Sequence, residues 1–407
     1  MARVRSLAPA LEVFRAAFRL GLTSFGGPIA HLGYFHEEYV RRRRWLDERT
    51  YGDLVALAQV LPGPASSQVG IAIGLLRAGL IGGLAAWLGF TLPSATLLAL
   101  FALAGHGAPP LFSTLLRGLL VVPVAVVAQA LWSMAGRLAP DRARASMALG
   151  AAVLLLLHPS AGTQVLVIVA GAVIGWRWLP AAAEPAAATA TAPGAGALPA
   201  PVSRRAAAVT WILFAALLAG LPLARLATGA RWVAVADAFY RAGALVFGGG
   251  HVVLPLLQSA VVPNGWVTQD QFLAGYGAAQ AVPGPLFTFA AYLGAVIGGW
   301  PWAVLATVAI FLPAFLLVIG AWPFWAALRQ RPRLRAALDG VNAVVVGILL
   351  AAWYDPIFTQ GIRSPADFAV ALAAFGLLVV WKWPSWRVVL LAVAASGALQ
   401  VAASGRW

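Results

Sequence analysis

Apolar runs close to the ~20 residues that cross a ~30 Å hydrocarbon core recur along the whole chain. Short connectors between them carry most of the arginines. The pattern predicts an all-α polytopic membrane protein. Two early runs, residues 10–32 and 53–76, are interrupted midway, by F-G-G-P at 25–28 and by P-G-P at 62–64. Proline removes a backbone donor and glycine releases backbone restraint, so a helix breaks at such points. Non-helical backbone at membrane depth survives only where protein or a water-filled cavity satisfies its polar groups. Re-entrant or hairpin segments meeting near the midplane are therefore expected, with kinked spanning helices as the competing reading.

The pattern occurs twice. F-R-L-G-L-T-S-F-G-G-P from Phe18 matches Y-R-A-G-A-L-V-F-G-G-G from Tyr240, so Phe25 falls opposite Phe247. A-Q-V-L-P-G-P ending at Pro64 matches A-Q-A-V-P-G-P ending at Pro285, and Trp45, Pro93 and Gly118 fall opposite Trp266, Pro313 and Gly340. Such agreement marks a duplication. It divides the chain into a first transmembrane repeat (1–179), a flexible Ala/Pro-rich linker (180–205), a connecting transmembrane helix (206–230) and a second repeat (231–407).

A single crossing between equivalent halves would invert the second, and the connectors agree. Arg41 to Arg44 oppose the base-free segment 263–271, and G-H-G-A-P-P at 105–110 opposes the arginine-rich segment 326–335. Arg137, Arg142 and Arg144 oppose 355–367, and the turn at 158–163 opposes Lys382 and Arg387. Basic residues swap sides at successive connectors, which the positive-inside rule reads as inverted-topology repeats with a cytoplasmic N-terminus. Arg225 and Arg231 fit this scheme poorly. The Glu37-Glu38 pair is expected to be solvated beside Arg41 to Arg44.

Composition strengthens the class. The chain is 61% hydrophobic and 10% charged, with a mean hydropathy of +0.85, too little polar surface for a soluble protein. The net charge of +15 lies in connectors, so it reads as topology and not as nucleic-acid binding. With no cysteine, disulfides and thiolate metal sites are excluded. The N-terminus shows no removable signal peptide, no metal or cofactor is implied, and a homodimer stays open beside lipid as a partner.

Candidate chemistry gathers at the breaks. A helix starting after a break presents unpaired N–H groups and its positive dipole end, which suits a small oxyanion. The backbone candidates are Gly26, Gly27 and Pro28, then Pro62, Gly63 and Pro64, with Gly248, Gly249, Gly250, Pro283, Gly284 and Pro285 in the second repeat. Ser66, Ser67 and Gln68 supply side-chain donors in the first repeat and Thr288 in the second; helix–helix hydrogen bonding is the alternative role. Arg19 and Arg241 occupy equivalent apolar positions, as oxyanion forks or as snorkelling side chains. His31 and His251, one position out of register, are candidates for proton coupling or for plain hydrogen bonding. Gln59 and Gln280 precede the two P-G-P breaks and are expected to tie them to neighbours, while Arg117 opposite Asp339 could form a gate pair.

Together F-R-L-G-L-T-S-F-G-G-P-I-A-H, W-L-D-E, L-P-G-P-A-S-S-Q, F-G-G-G-H-V-V-L-P and A-V-P-G-P closely resemble the chromate ion transporter family in its long two-domain form. The resemblance covers essentially the whole chain outside the linker. It implies a transporter of the bacterial cytoplasmic membrane that expels chromate, in exchange for sulfate or coupled to protons. An anion channel is the alternative. An enzyme finds no support in the sequence, which holds no H-E-x-x-H, no paired intramembrane Asp and no G-x-x-x-x-G-K-[ST].

Overall fold

The computed structural model describes residues 7–25, 27–105, 110–180, 202–247, 252–325 and 331–403. Among the described residues there is no strand; the chain is helical throughout. Most of the linker, residues 181–201, lies outside the described residues. The first half comprises α1 (Leu7–Thr23), α2 (Gly27–Phe35), a wide π-type turn (His36–Arg42), α3 (Glu48–Val60), α4 (Ala65–Ala104), α5 (Pro110–Leu138), α6 (Arg142–Leu157) and α7 (Ala161–Trp178). After α8 (Arg204–Thr228) the same order recurs as α9 (Arg231–Ala244), α10 (Val253–Val261), α11 (Gln269–Ala281), α12 (Phe289–Gly298), α13 (Trp300–Ala321), α14 (Pro332–Ala352), α15 (Pro365–Val379) and α16 (Ser385–Ala403). Among the described residues, five helices are long and apolar enough to cross a membrane.

Helix α4 corresponds to α12 and α13 together, because it bends back on itself at Ala78 and Gly79. Gly79 has φ +67° and Gly299, between α12 and α13, has φ +82°, values that favour glycine. The two limbs of α4, 65–77 and 80–104, touch backbone to backbone: a Cβ on Gly74 would stand 2.2 Å from the Gly82 carbonyl oxygen.

One end of the first half is tied by charge and aromatic stacking. Glu12 of α1 pairs with Arg77 at 3.0 Å and Arg43 at 3.7 Å. The guanidiniums of Arg43 and Arg77 lie 5.1 and 5.2 Å from the centre of the Trp45 ring. The chain therefore leaves this end along α1, reaches the break at 24–26, returns along α2, leaves again along α3 and returns from the break at 61–64 to Arg77. At 1.5 Å per residue the 13-residue α3 carries its break roughly 20 Å from that end. The second half repeats the tie more simply, with the Arg231 guanidinium 5.3 Å from the Trp302 ring centre and donating to the Ile297 carbonyl at 3.3 Å.

The long limbs then carry each half into the other. Leu98, Ala99 and Ala102, far along the second limb of α4, lie in the core cluster that holds Val253, Phe272 and Ile297. Phe101 stands 5.9 Å from Tyr292, two turns before the Gly299 bend. Reciprocally, Ala321, Trp322 and Trp325 at the far end of α13 lie in the cluster that holds Tyr39 and Tyr51. Helix α5 packs against α11, α15 and α16 of the second half, and α14 packs against α6 and α7 of the first. Small residues make these crossings close: a Cβ on Gly340 would come 2.1 Å from the Gly171 carbonyl oxygen. The halves are thus interdigitated. Helix α8 lies against α9 and α13 with most of its surface exposed.

The Glu37-Glu38 expectation needs correction. Glu37 is exposed, but Glu38 is buried, with Arg43 Nε donating to its Oε1 at 2.6 Å and Arg42 to its Oε2 at 3.0 Å. Burial alone would raise this carboxyl, yet the hydrogen bonds and charges of Arg43 and Arg42 outweigh it and hold it below the ordinary value. A carboxyl depressed in the folded state stabilises that state above the unfolded value of ~4.3 and loses the effect as pH falls through the folded value. The melting temperature in detergent should therefore drop on acidification below about pH 4.3, with the gap between wild type and Glu38→Gln narrowing there and constant above about pH 6. A gap independent of pH from about 3 to 7 would assign the stabilisation to packing instead.

Candidate functional site

Several helices that start at connectors are capped by side chains, although α9, α13 and α14 are not. Asp47, Asp141, Ser160, Ser203, Thr268 and Ser364 each accept a backbone N–H from the first turn. Helices α4, α10 and α12, which start at the breaks, have no side-chain cap. At α12 a 3-10 turn over Leu286–Thr288 takes up the first N–H groups, with Thr288 N–H on the Pro285 carbonyl at 3.0 Å, whereas those of Ala65, Ser66 and Ser67 in α4 have no partner within the helix.

The breaks of the two halves are joined by an exchanged pair of hydrogen bonds. Gly63 donates its N–H to the Val246 carbonyl at 2.7 Å, and Gly284 donates to the Ser24 carbonyl at 2.9 Å. In the repeat Gly63 corresponds to Gly284 and Ser24 to Val246, so each half makes the same bond to the other, as across a two-fold axis. Both donors need glycine, with φ +121° at Gly63 and +98° at Gly284; Gly27 after the first break has φ +80°.

Around this exchange the first half gathers polar side chains. His31 is buried, with Nε2 3.2 Å from the Ser24 carbonyl, Nδ1 3.3 Å from Ser66 Oγ and its ring edge-on to Phe90. The histidine thereby links the α1–α2 break to the first turn of α4. Gln68 is committed to its own break: its Nε2 donates to the Pro62 carbonyl at 2.7 Å and its N–H to the Pro64 carbonyl at 2.9 Å. Only its Oε1, an acceptor, is unpartnered. The hydroxyls of Ser24, Ser67 and Thr91 are also buried without a partner, the residues being 0%, 3% and 3% exposed. An unmade buried hydrogen bond costs about 1–3 kcal/mol, so each of the three requires a physical reason.

In the second half the Thr288 hydroxyl donates to the Pro285 carbonyl at 2.7 Å. Pro283 and Pro285 are buried, while Pro28 and Pro62 are half-buried. Gln59 is exposed and Gln280 half-buried with an unpartnered Nε2. Arg19 is exposed on α1. Arg241 donates to the fully buried Asp237 at 2.6 Å, Arg225 stands 3.9 Å from the same oxygen, and Arg241 Nε is unpartnered. Asp339 is bonded by Arg144 at 3.0 Å; the side chain of Arg117 lies outside the described part. Gly26, Gly248, Gly249, Gly250 and His251 lie outside the described residues. Ser24, Thr91 and Asp237 escaped the sequence reading as site residues. Ser24 lies inside the break motif and Asp237 precedes Arg241 at the i, i+4 spacing of a helical ion pair, so both left a signal; Thr91 left none.

The sequence model described as Chromate transporter matches residues 11–176 and again residues 233–398. A chromate transport protein of Pseudomonas aeruginosa is 29% identical over 392 residues, 95% of this chain and 90% of that protein. A probable chromate transport protein of Synechococcus elongatus is 29% identical over 386 residues, 89% of this chain and 88% of that protein. An uncharacterized transporter of Bacillus subtilis is 31% identical over 161 residues, 39% of this chain but 89% of that protein. No solved structure matches. The fold is that of an all-α multi-pass membrane protein. The chain belongs to the chromate transporter family.

The exchanged bonds make a direct prediction. Gly284→Ala would hold a non-glycine residue at φ +98° and bring its Cβ 2.7 Å from Ser94 Oγ. A loss of about 1–3 kcal/mol is expected in detergent unfolding. Gly33→Ala, in a helical position with open space around it, should keep or slightly raise stability; an equal loss at both positions would refute the role given to the break.

Proposed function

We propose that the protein is a secondary transporter that exports chromate across the bacterial cytoplasmic membrane by alternating access, with the anion bound between the breaks of two inverted halves. Sulfate-type oxyanions are the natural competitors, being alike in charge and shape. The observation that carries the reading is the exchanged Gly63–Val246 and Gly284–Ser24 pair, which joins the breaks of the two halves. Each helix N-terminus is equivalent to about +0.5 charge, so four of them offset roughly the charge of a dianion. Relatives named for chromate transport along nearly the whole chain support the substrate. An interior-negative potential favours expulsion of a dianion by roughly 4.6 kcal/mol at 100 mV.

Inversion is supported by the route of the long limbs. The second limb of α4 starts beside Arg77 and ends, with Phe101, near Tyr292 and the second-half bend. Helix α13 starts beside Trp302 and ends in the cluster of Tyr39 and Tyr51. If each limb crosses the membrane, the two tied ends face opposite sides. The end bearing Arg41 to Arg44 and Arg77 is then the cytoplasmic one by its basic charge.

Two measurements test these statements separately. Because the chain has no cysteine, Arg41→Cys and Asn264→Cys give clean single labels at equivalent connectors. An impermeant maleimide should reach them from opposite faces, and same-face labelling would end the inverted arrangement. In inside-out vesicles radiolabelled chromate uptake should saturate and be competed by sulfate. Flux linear in concentration would make the protein a channel, and no flux of chromate would remove it as the substrate.

A further inference from the structure

The two halves share a backbone at the breaks but not a lining. Reading the repeat in register, Ser24 is replaced by Val246, Ser66 by Phe287, Gln68 by Phe289 and Thr91 by Phe311. Ser67 is matched by Thr288, whose hydroxyl is already used on the Pro285 carbonyl. The three phenylalanines are 1%, 0% and 0% exposed, and the Phe287 and Phe311 rings lie 5.9 Å apart. Aromatic rings in the second half thus stand at the positions of Ser66, Gln68 and Thr91, while a valine stands at that of Ser24 and a threonine at that of Ser67.

On the first-half side, three elements converge at the His31 ring. Ser24 gives it a carbonyl contact from the break, Ser66 a hydroxyl contact from α4, and Phe90 an edge-on ring. The three unpartnered hydroxyls belong to these residues or their immediate neighbours: Ser24 itself, Ser67 beside Ser66, and Thr91 beside Phe90. Each can donate one hydrogen bond, and the uncapped start of α4 adds backbone N–H groups of Ala65, Ser66 and Ser67. A tetrahedral oxyanion is an acceptor on every side, and this set is rich in donors.

We propose that, between the joined breaks, the side-chain donors to the oxyanion come from the first half alone, from the hydroxyls of Ser24, Ser67 and Thr91 beside the first turn of α4, while Phe287, Phe289 and Phe311 leave the second half without equivalents of Ser66, Gln68 and Thr91. Each chain then holds one anion, not two. His31 is a positioning residue, since both its ring nitrogens lie against Ser66 and the Ser24 carbonyl. The inference rests on the oxyanion-transport reading but not on chromate being the anion.

The test is equilibrium binding of radiolabelled chromate, and separately of sulfate, to the purified full chain, with thermal unfolding of the same samples. Wild type should bind one anion per chain. Ser67→Ala and Thr91→Val should each weaken binding about tenfold, the loss of one donor, without lowering the unfolding temperature, because an unpartnered hydroxyl contributes nothing to the unliganded fold. Thr307→Val, which removes a hydroxyl already bonded to the Ala303 carbonyl, should lower the unfolding temperature and leave binding unchanged. Wild-type affinity in both Ser67→Ala and Thr91→Val would overturn the site while leaving transport standing. Two anions per chain would overturn the asymmetry. Sulfate binding that follows this pattern without chromate binding would keep the site and refute the substrate, and binding of neither anion would refute both.

Discussion

The structure depends on the exchange of backbone hydrogen bonds between the breaks. A broken helix inside a bilayer exposes N–H and C=O groups that lipid cannot satisfy. At the bundle ends the chain solves the equivalent problem locally, with Asp47, Ser160 or Thr268 as caps. At the breaks it solves the problem across the duplication, with Gly63 donating to Val246 and Gly284 to Ser24. Neither half completes these bonds alone. The interdigitation of α5 with α15 and α16, and of α14 with α6 and α7, extends the same exchange outward and holds the breaks in register.

Equal backbones have been given unequal surroundings. Helix α11 is enclosed by α5 and α16 and is buried continuously from Phe272 to Ala279. Its counterpart α3 packs on α4 and on the π-type turn, with Gly52 and Gln59 exposed. The less enclosed helix, α3, leads into the break that precedes Ser66 and Ser67, which are themselves buried. Elements that move during function come from the less tightly packed part of a fold, and here α3 borders the polar lining. Motion of the first-half hairpin against a well-packed second half would change the polar site without unmaking the core.

Much of this was legible in the sequence for a plain reason. Breaks are local events, written in Gly and Pro, and a duplication repeats them in register, so F-G-G-P, P-G-P and their copies could be located without coordinates. The bend at Gly79 was not found, because a lone glycine in an apolar run has no distinguishing neighbours. The interdigitation was not legible either, since a contact such as Trp353 Nε1 to the Val124 carbonyl joins residues far apart in sequence. Gln68 looked like a donor for an anion and proved to be tied to the Pro62 carbonyl. Residue type announces capacity, and only geometry shows whether that capacity has been used.

The paired arginines illustrate the same distinction in charge. Arg19 and Arg241 are equivalent by sequence, and a charge within an apolar run is costly enough to invite a functional reading. In register, however, Asp237 falls opposite Arg15. Helix α9 is enclosed by α8 and α13, and there Arg241 is neutralised by the buried Asp237, with Arg225 nearby. Helix α1 packs on α4 by one face, and Arg15 and Arg19 lie on the other, exposed. Arg241, half-exposed, is held by its buried partner, and the exposed arginines of α1 reach polar surroundings along their aliphatic stems. Duplication thus copied the arginine, and the different enclosure of α1 and α9 required a different answer from each copy. Among the described residues, and apart from Arg241 Nε, the buried donors left unanswered near the breaks include the three first-half hydroxyls and the Gln280 amide, all neutral. Neutral donors aided by helix ends can hold a dianion without a counter-charge that would have to be separated from it at release.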